Sequence, residues 1–421
     1  MKSSIVSCIF GIVLLTCITI TVAQAVEPLW IVNTSPGIEL KSVSISADGS
    51  LIVAGGDQLV GISRDGKKLW AGWDGELVEI DRDGKYIVTS YGSIVRLFDS
   101  DGANLWDRSF TESVTDISIT PDGLMIAAGS GTVVKSWYNS GAGLGSNTTS
   151  RIKHLRISPA KDQIVVTTGN TLRSFNLSYV PFWTDDEVSP DLVEMSSDGT
   201  HLVTASGNWI WFHHSSGTRI WEKHIQGGSI LSLAFSRDGS IIVAGQDDNT
   251  ITVLDSNSNV LWTAKAGNWV TDVGVSDNGS VIVAGSMDKN LYVFDRKGTL
   301  LGTFSATGAF KSHSVGISGD GARIVAVDGA DVYGFSGSQF SRPIPTGTPG
   351  TAIIPPAVQP NKTLTMVTIP TEVTTSPPGT IQTVVSPVPP IPTTTQQSGI
   401  PWVLSLIPVA VIAFIQQKRR T

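Results

Sequence analysis

Histidine, a common metal ligand and catalytic base, occurs only six times in this 421-residue chain. None of the six stands in an H-x-H or H-x-x-x-H pattern, the spacing that brings two imidazoles to one metal ion. His213 and His214 are neighbours on a strand-like run, so we expect their side chains on opposite faces. The sequence therefore predicts no histidine metal centre.

The densest acidic cluster is Asp185-Asp186-Glu187, which could hold calcium through its carboxylates. It lacks the D-x-D-x-D-G spacing of a calcium loop, so a solvated loop is the better interpretation. These three residues stay as weak metal candidates. We predict neither a metal nor a cofactor.

The two cysteines, Cys8 and Cys17, lie in an apolar run over residues 5–22 that follows Lys2. The run ends in Ala23-Gln24-Ala25, so residues 1–25 are predicted to be a secretory signal peptide. The mature chain would then contain no cysteine. This excludes disulfides, thiolate metal ligands and cysteine nucleophiles.

Charge disfavours one class of partner. The formal net charge is -7, and no basic run occurs before the last few residues. Nucleic-acid binding needs clustered lysine and arginine, so nucleic acid is not expected as a partner.

A repeated turn-and-strand motif positions all of these residues. Its clearest copies are SADGSLIVAG at 46–55, SRDGSIIVAG at 236–245 and SDNGSVIVAG at 276–285. Weaker copies begin near 83, 122, 198 and 320, and a copy without the glycine follows Ser158. A recurrence at roughly 35 to 42 residues indicates propeller blades or a similar array.

Each repeat divides into four strand-like segments, the last marked by Leu-Trp. Tryptophans hold that mark at positions 30, 70, 106, 183, 221 and 262, with Leu144 and Gly302 at the degenerate positions. The final repeat lacks a fourth strand, which Leu29–Asn33 at the N-terminus would supply. We predict an all-β, eight-bladed propeller over residues 26–338, closed by its N-terminal strand; seven blades is the alternative.

The repeat S-x-D-G-x-x-[IL]-V-A-G, followed by a strand ending in Asp, resembles the WD40 repeat. The D-x-x-G-x-x-L-W ending, as in Asp65 to Trp70, resembles the PQQ-type, quinoprotein-like propeller repeat. The resemblance covers about 310 residues and implies a propeller fold. Quinoprotein dehydrogenases use adjacent cysteines and a metal near the quinone, and this chain would have no cysteine, so bound PQQ is not expected.

After the repeats the composition changes to Pro, Thr, Ser and Val. We interpret residues 339–398 as a disordered stalk, 399–416 as a transmembrane helix and 417–421 as a basic cytoplasmic tail. This arrangement resembles cell-surface proteins of archaea, methanogens among them, some of which exchange the final helix for a lipid. The candidate N-glycosylation sites are Asn33, Asn147, Asn176, Asn278 and Asn361, with Asn147, placed in a loop, and Asn361 preferred.

Strand direction separates two faces of the predicted propeller. The stalk leaves after a third strand, on the face of the Asp-Gly turns, so the connections from fourth to first strands should point away from the membrane. Trp73, Trp209 and Trp269 are off the Leu-Trp register and are expected to be exposed. The candidate binding face comprises Trp269, Trp73, Asp185, Asp186, Glu187, His224 and Lys265.

Three functions fit these features. The leading hypothesis is a membrane-anchored, surface-displayed and non-catalytic scaffold that binds an extracellular protein or glycan. The first alternative is a propeller enzyme (hydrolase, lyase or quinoprotein-like) with its site in the central channel. That enzyme needs convergent acids on first strands, where Asp116 and Asp272 lie but most other repeats have no acid. The second alternative is a structural component of the cell envelope.

Overall fold

A computed structural model describes residues 25–340, which form eight four-stranded antiparallel sheets. The first strands of successive sheets contact one another around a ring, so they line a central channel and the fourth strands form the rim. This is the architecture of an eight-bladed propeller, and the seven-bladed alternative is wrong.

The strands of the first four blades run in sequence order from the channel to the rim. Blade 1 contains β2 (Leu40–Ile45), β3 (Leu51–Gly56), β4 (Leu59–Ser63) and β5 (Lys68–Gly72). Blade 2 contains β6 (Leu77–Ile80), β7 (Tyr86–Tyr91), β8 (Ile94–Asp99) and β9 (Asn104–Ser109). Blade 3 contains β10 (Val114–Ile119), β11 (Met125–Ser130), β12 (Val133–Tyr138) and β13 (Gly143–Thr148). Blade 4 contains β14 (Ile152–Ile157), β15 (Gln163–Thr168), β16 (Thr171–Asn176) and β17 (Pro181–Asp185).

The next three blades have the same order. Blade 5 contains β18 (Leu192–Met195), β19 (His201–Ser206), β20 (Trp209–His214) and β21 (Arg219–His224). Blade 6 contains β22 (Ile230–Phe235), β23 (Ile241–Gln246), β24 (Thr250–Asp255) and β25 (Val260–Lys265). Blade 7 contains β26 (Val270–Val275), β27 (Val281–Ser286), β28 (Asn290–Asp295) and β29 (Leu300–Ser305).

The eighth blade combines both ends of the propeller. It contains β30 (Val315–Ile317), β31 (Arg323–Val327), β32 (Asp331–Ser336) and, as fourth strand, β1 (Trp30–Asn33). β1 pairs antiparallel with β32, with Trp30 opposite Gly334. A short 3-10 helix (Gly337–Gln339) follows β32, and Phe340, two residues beyond the predicted boundary, is buried. The predicted closure by the N-terminal strand is confirmed, and it covers two strand edges that would otherwise be exposed.

The repeated motif makes the turn between the first two strands. In blade 6 the Ser236 hydroxyl donates to the Asp238 carboxylate at 2.6 Å and accepts from the Ile241 amide at 2.8 Å. Gly239 has a φ of 70°, a conformation that glycine adopts without a Cβ clash. The second strand that follows, β23, is buried along its whole length. The motif is therefore a structural element, which agrees with its presence in every blade.

The Leu-Trp mark holds neighbouring blades together. Each of its six tryptophans is half-buried, and its indole Nε1 donates to a main-chain carbonyl in the turn before the next blade's fourth strand, at 2.7 to 3.1 Å. The acceptors are the carbonyls of Arg64, Ser100, Asn139, Ser215, Ser256 and Arg296. A Cβ on Gly298 of that turn would lie 2.6 Å from the Trp262 ring, so the indole needs the flat glycine surface. The D-x-x-G-x-x-L-W ending thus encodes an interblade contact.

The two blades without this tryptophan use different contacts. In blade 3 the tryptophan position belongs to Gly145, which pairs with Ser136 as Trp106 pairs with Leu97 in blade 2; the expected assignment of Leu144 was wrong by one residue. Tyr179 of blade 4 covers Gly145 and donates its hydroxyl to Ser136 at 2.8 Å. At blade 7 the N-terminal segment replaces the indole, since the Val26 amide donates to the Thr303 carbonyl at 2.8 Å.

Residues 1–24 of the predicted signal peptide, most of the stalk, the predicted transmembrane helix and the basic tail lie outside the described residues. Within residues 25–340, no helix has the length and apolarity required to cross a membrane.

Candidate functional site

The propeller has two faces, defined here by their connections. The upper face carries the turns between second and third strands and the connections from each fourth strand to the next first strand. The lower face carries the two other kinds of turn, and the chain leaves β32 on that side. The predicted division of the connections between two faces, with the chain leaving a third strand on the face of the Asp-Gly turns, is therefore present in the fold.

Three tryptophans at the upper face have no structural role of the Leu-Trp kind: Trp73 and Trp269 lie in connections from fourth to first strands, and Trp209 is the first residue of β20. Trp73, Trp209 and Trp269 expose 51%, 40% and 52% of their surface, respectively, as their off-register positions predict. Trp269 lies directly before β26, and its carbonyl accepts from the Met287 amide at 2.9 Å. Met287 is itself 36% exposed, so the two side chains extend an apolar area on the upper face of blade 7. Large exposed aromatic rings are enriched at protein interfaces.

The other two rings are held by neighbouring side chains. Trp209 stacks on Trp211 with centroids 6.4 Å apart and meets the edge of His224 at 5.1 Å. Trp73 has a φ of 33° and leans towards blade 2, where the Arg96 guanidinium lies 5.3 Å from its ring centroid. The fold thus brings His224 of the predicted binding face against Trp209. Both rings are positioned before any ligand binds.

The acidic cluster is divided between two environments. The Asp185 side chain is only 11% exposed and lies 3.3 Å from His213 Nε2, in the contact between blades 4 and 5. Arg219 of blade 5 pairs with Glu187 and reaches within 4.0 Å of Asp185. Asp186 and Glu187 are exposed. Asp185 therefore serves an interblade contact and is not presented to solvent as the sequence suggested, because the end of each fourth strand extends over the next blade.

Lys265 is committed to its own blade. Its ammonium group lies 3.1 Å from the Asp248 carboxylate and 2.6 Å from the Thr250 hydroxyl. Within residues 25–340, no group of three or more His, Cys, Asp or Glu side chains is arranged so that it could hold a metal ion.

The channel contains an ionic cluster that the sequence did not reveal. Arg156 on β14 donates to Glu194 through Nη2 (2.7 Å) and Nε (3.2 Å) and to Asp116 through Nη1 (3.3 Å). Glu79 lies 3.8 Å from the same guanidinium. Burial raises the pKa of Glu79 to about 7 in spite of Arg156. These partners come from four consecutive blades, so only aligned repeats could have placed them together.

Asp116 and Asp272 hold the same place in blades 3 and 7. Each lies opposite a glycine of its second strand, after a bulge in the first. Each carboxylate accepts from the following amide, and its second oxygen accepts from an amide of the next blade at 2.8 Å, Leu155 for Asp116 and Val315 for Asp272. The two first-strand acids considered for the enzyme alternative are thus interblade links.

Their electrostatic surroundings differ. Burial would raise the pKa of Asp116, but His154, 3.2 Å away, and Arg156 outweigh burial and hold that pKa at about 2. Burial raises the pKa of Asp272 to about 7 despite its main-chain donors, and no lysine, arginine or histidine of residues 25–340 forms an ion pair with it. Asp272 is a carboxylate without a counter-ion.

A chamber of about 350 Å³ occupies the channel beside Asp272. Arg156 and Glu194 form one wall, and blades 6 to 8 form the other. The chamber reaches up to Leu231 and Ser312, near the upper ends of their blades. At the lower mouth, Arg82 of blade 2 crosses to Asp277 of blade 7 with 2.9 Å between nitrogen and oxygen. Access from the upper face is therefore the less obstructed route.

The sequons are not equivalent. Asn147 lies in β13, not in a loop as expected, and donates its amide to the Tyr179 carbonyl at 3.1 Å. Asn33 donates its amide to Asp331 at 2.8 Å, and Asn176 uses its side-chain oxygen to form the turn before β17. Asn278 is exposed and uses only its oxygen in the turn. Among the described sequons, Asn278 is the best presented; Asn361 lies outside the described residues.

Comparison with known proteins agrees with the repeat pattern. Residues 167–332 match the PQQ-type repeat family described as outer membrane protein assembly factor BamB. No curated protein sequence matches the chain. The predicted PQQ-type resemblance is confirmed.

Solved WD40-type propellers have a similar fold. Sqt1 of Chaetomium thermophilum, bound to the N-terminus of the ribosomal protein L10, is 17% identical with a TM-score of 0.60, over 71% of this chain and 97% of that chain. The C-terminal WD40 domain of Sif2 is 14% identical with a TM-score of 0.65, over 75% and 99%. Sqt1 of Saccharomyces cerevisiae is 11% identical with a TM-score of 0.63, over 74% and 99%. Identities this low show the fold alone.

Proposed function

We propose that this protein is a surface-displayed, membrane-anchored propeller that binds a partner protein through its upper face without catalysing a reaction. The observation that carries the proposal is the placement of Trp73, Trp209 and Trp269. Six other tryptophans join blades, whereas these three are exposed and lie at the upper face. A few hot-spot residues carry most of the binding energy of a typical interface, and tryptophan is enriched among them.

A rigid scaffold supports this role. Every blade is bonded to the next, and loops on such a frame change little on binding, which lowers the entropic cost of association. Another propeller of this fold, the Sqt1 of C. thermophilum, is bound to an N-terminal protein segment. That precedent supports a protein as the partner, with a glycan as the alternative outcome of a screen.

Display at a membrane is supported by the sequence. The apolar N-terminal segment, the Pro/Thr-rich region and the apolar C-terminal run with its basic end are arranged as in an anchored surface protein. The chain leaves β32 on the lower face, so the upper face is opposite the point at which the chain leaves the propeller.

Two experiments test the proposal. Protease treatment of intact cells that express the full chain should digest the propeller or release it, and complete protection would contradict surface display. Peptide and glycan arrays should then be probed with purified protein. Replacement of Trp209 and Trp269 by alanine should weaken binding by about 1 to 3 kcal/mol per ring.

The matched controls lie on the lower face. Leu124 and Tyr138 are 44% and 45% exposed, close to the exposure of Trp209. Their replacement by alanine should leave binding unchanged. If the lower-face variants lose binding and the tryptophan variants keep it, the assignment of the face is wrong.

A further inference from the structure

The repeat supplies an internal comparison for Asp272. Five blades hold a polar residue at this position of the first strand, opposite a small residue of the second strand: Ser42, Asp116, His154, Ser232 and Asp272. The serines at two of these places show that the fold does not require a carboxylate there. The aspartate in blade 7 thus needs an explanation beyond the interblade hydrogen bond.

An uncompensated carboxylate inside a protein is costly. For Asp116 this cost is offset by His154 and Arg156, whose nitrogens lie 3.2 and 3.3 Å from the carboxylate. Asp272 is given only main-chain N–H donors, those of Val273 and Val315 at 3.1 and 2.8 Å, together with the nearby amides of His313 and Ser314. These donors orient the carboxylate without cancelling its charge. A cation from outside the described residues would complete the site.

The chamber beside Asp272 selects the kind of cation. Much of its wall near blade 6 is apolar, with Leu231, Leu233 and Ala234. A bare metal ion would require several oxygen ligands, and residues 25–340 present no such cluster. An alkyl chain with a terminal ammonium would pack its methylenes on the apolar wall and place its charge on the carboxylate.

We propose that the channel chamber binds a primary alkylammonium group, with Asp272 as its anionic partner. The volume of about 350 Å³ accommodates a lysine side chain or a short diamine. The same chemistry is offered by a lysine of a partner protein and by a free diamine. This site lies in the channel and stands independently of the tryptophans on the upper face.

The other titratable side chains that face the chamber are His154, Arg156, Glu194 and His313. Arg156 and Glu194 neutralise each other through two hydrogen bonds. The charge of Asp272 therefore determines how strongly the chamber attracts a cation. Its raised pKa means that binding should weaken as the pH falls through about 7, since protonation removes the anionic partner.

Calorimetry or ligand-observed NMR on the full-length chain, at about pH 8, tests the proposal. The probes are Nα-acetyl-lysine methylamide, 1,5-diaminopentane and the neutral analogue Nα-acetyl-norleucine methylamide. Both amines should bind, and the neutral analogue should bind at least about tenfold more weakly. Tighter binding of the lysine derivative would identify a protein side chain as the source, and tighter binding of the diamine a free metabolite.

Two substitutions remove the charge without requiring a new fold. Asp272→Asn keeps one of the two acceptor oxygens, and Asp272→Ser introduces the residue found in blades 1 and 6. Both should reduce amine affinity at least about tenfold, whereas Ser42→Ala, at the same position far from the chamber lining, should not. Equal binding of the neutral analogue, unchanged binding by both Asp272 variants, or no amine binding by the parent overturns the proposal. Partner capture through the upper face would survive each of these results.

Discussion

The contrast between Asp272 and Asp116 predicts opposite effects of one chemical change on stability. The change is Asp→Asn at each position, which removes a charge and keeps a side chain of nearly the same shape. Asp272 has a pKa raised from 3.8 to about 7 in the folded protein, and Asp116 has one lowered from 3.8 to about 2. In the unfolded chain both side chains have the ordinary pKa of aspartate, 3.8.

The magnitude for Asp272 comes from the shift itself. Roughly three pKa units at about 1.4 kcal/mol each give an upper bound near 4 kcal/mol. The carboxylate borders the channel lumen, where water lowers this cost, so we expect about 2 kcal/mol. Because the folded pKa lies above the unfolded value, the folded protein binds more protons between pH 3.8 and about 7, and its stability falls as the pH rises through that window. Asp272→Asn loses one main-chain hydrogen bond at every pH, but it removes this pH dependence, so the variant should gain about 2 kcal/mol of stability relative to the parent between about pH 4 and pH 8.

Asp116 should behave in the opposite way. Its lowered pKa contributes stability that is present above pH 3.8 and is lost as the pH falls towards about 2. Asp116→Asn should cost about 2 kcal/mol at neutral pH, because Arg156 and His154 lose their partner.

Urea unfolding of the parent and the two variants, followed by tryptophan fluorescence across this pH range, measures both effects. Relative to the parent, Asp272→Asn should become more stable as the pH rises and Asp116→Asn less stable; the same trend in both variants would show that the assigned difference in electrostatic surroundings is wrong.

Four further changes test the fold and the surface. Deleting Leu29–Thr34 should cause unfolding or aggregation, since β32 would lose its partner; a variant as stable as the parent by thermal melting contradicts closure. Trp262→Ala should cost about 2 to 4 kcal/mol in urea unfolding and Trp262→Phe less, because phenylalanine keeps most packing and loses only the indole hydrogen bond. Tyr179→Phe should cost about 1 to 3 kcal/mol by leaving the buried hydroxyl of its partner serine unpaired, and no loss would show that this contact is dispensable. Asn278→Gln should increase gel mobility if that sequon carries a glycan in the native host, and unchanged mobility would rule it out.

Much of the fold could be predicted because repetition makes local signals add up. The Asp-Gly turns and the Leu-Trp marks give independent counts that agree only when Trp30 belongs to the last blade. Details within one blade were less accessible. Gly145 was missed in favour of Leu144 because glycine carries none of the apolar signal that marks this position in the six blades with a tryptophan.

The candidate site was less predictable than the fold. The exposure of Trp73, Trp209 and Trp269 was predicted because these residues lie outside the Leu-Trp register. The burial of Asp185 did not, because it depends on how far a fourth strand extends over the next blade. Glu194 and Asp116 are 38 and 40 residues from Arg156 in the sequence. Only an alignment of the repeats by strand position would have shown that these side chains meet at one level of the channel.

The central claim is that the upper face binds a partner through its exposed tryptophans. The most direct measurement compares the affinity of the best array ligand for the parent, for a Trp73/Trp209/Trp269 triple alanine variant and for a Leu124/Tyr138 double alanine variant of matched exposure. The account predicts a loss of at least about a hundredfold in the upper-face variant and parental affinity in the lower-face variant. Parental affinity in the upper-face variant, with both proteins folded, would contradict it.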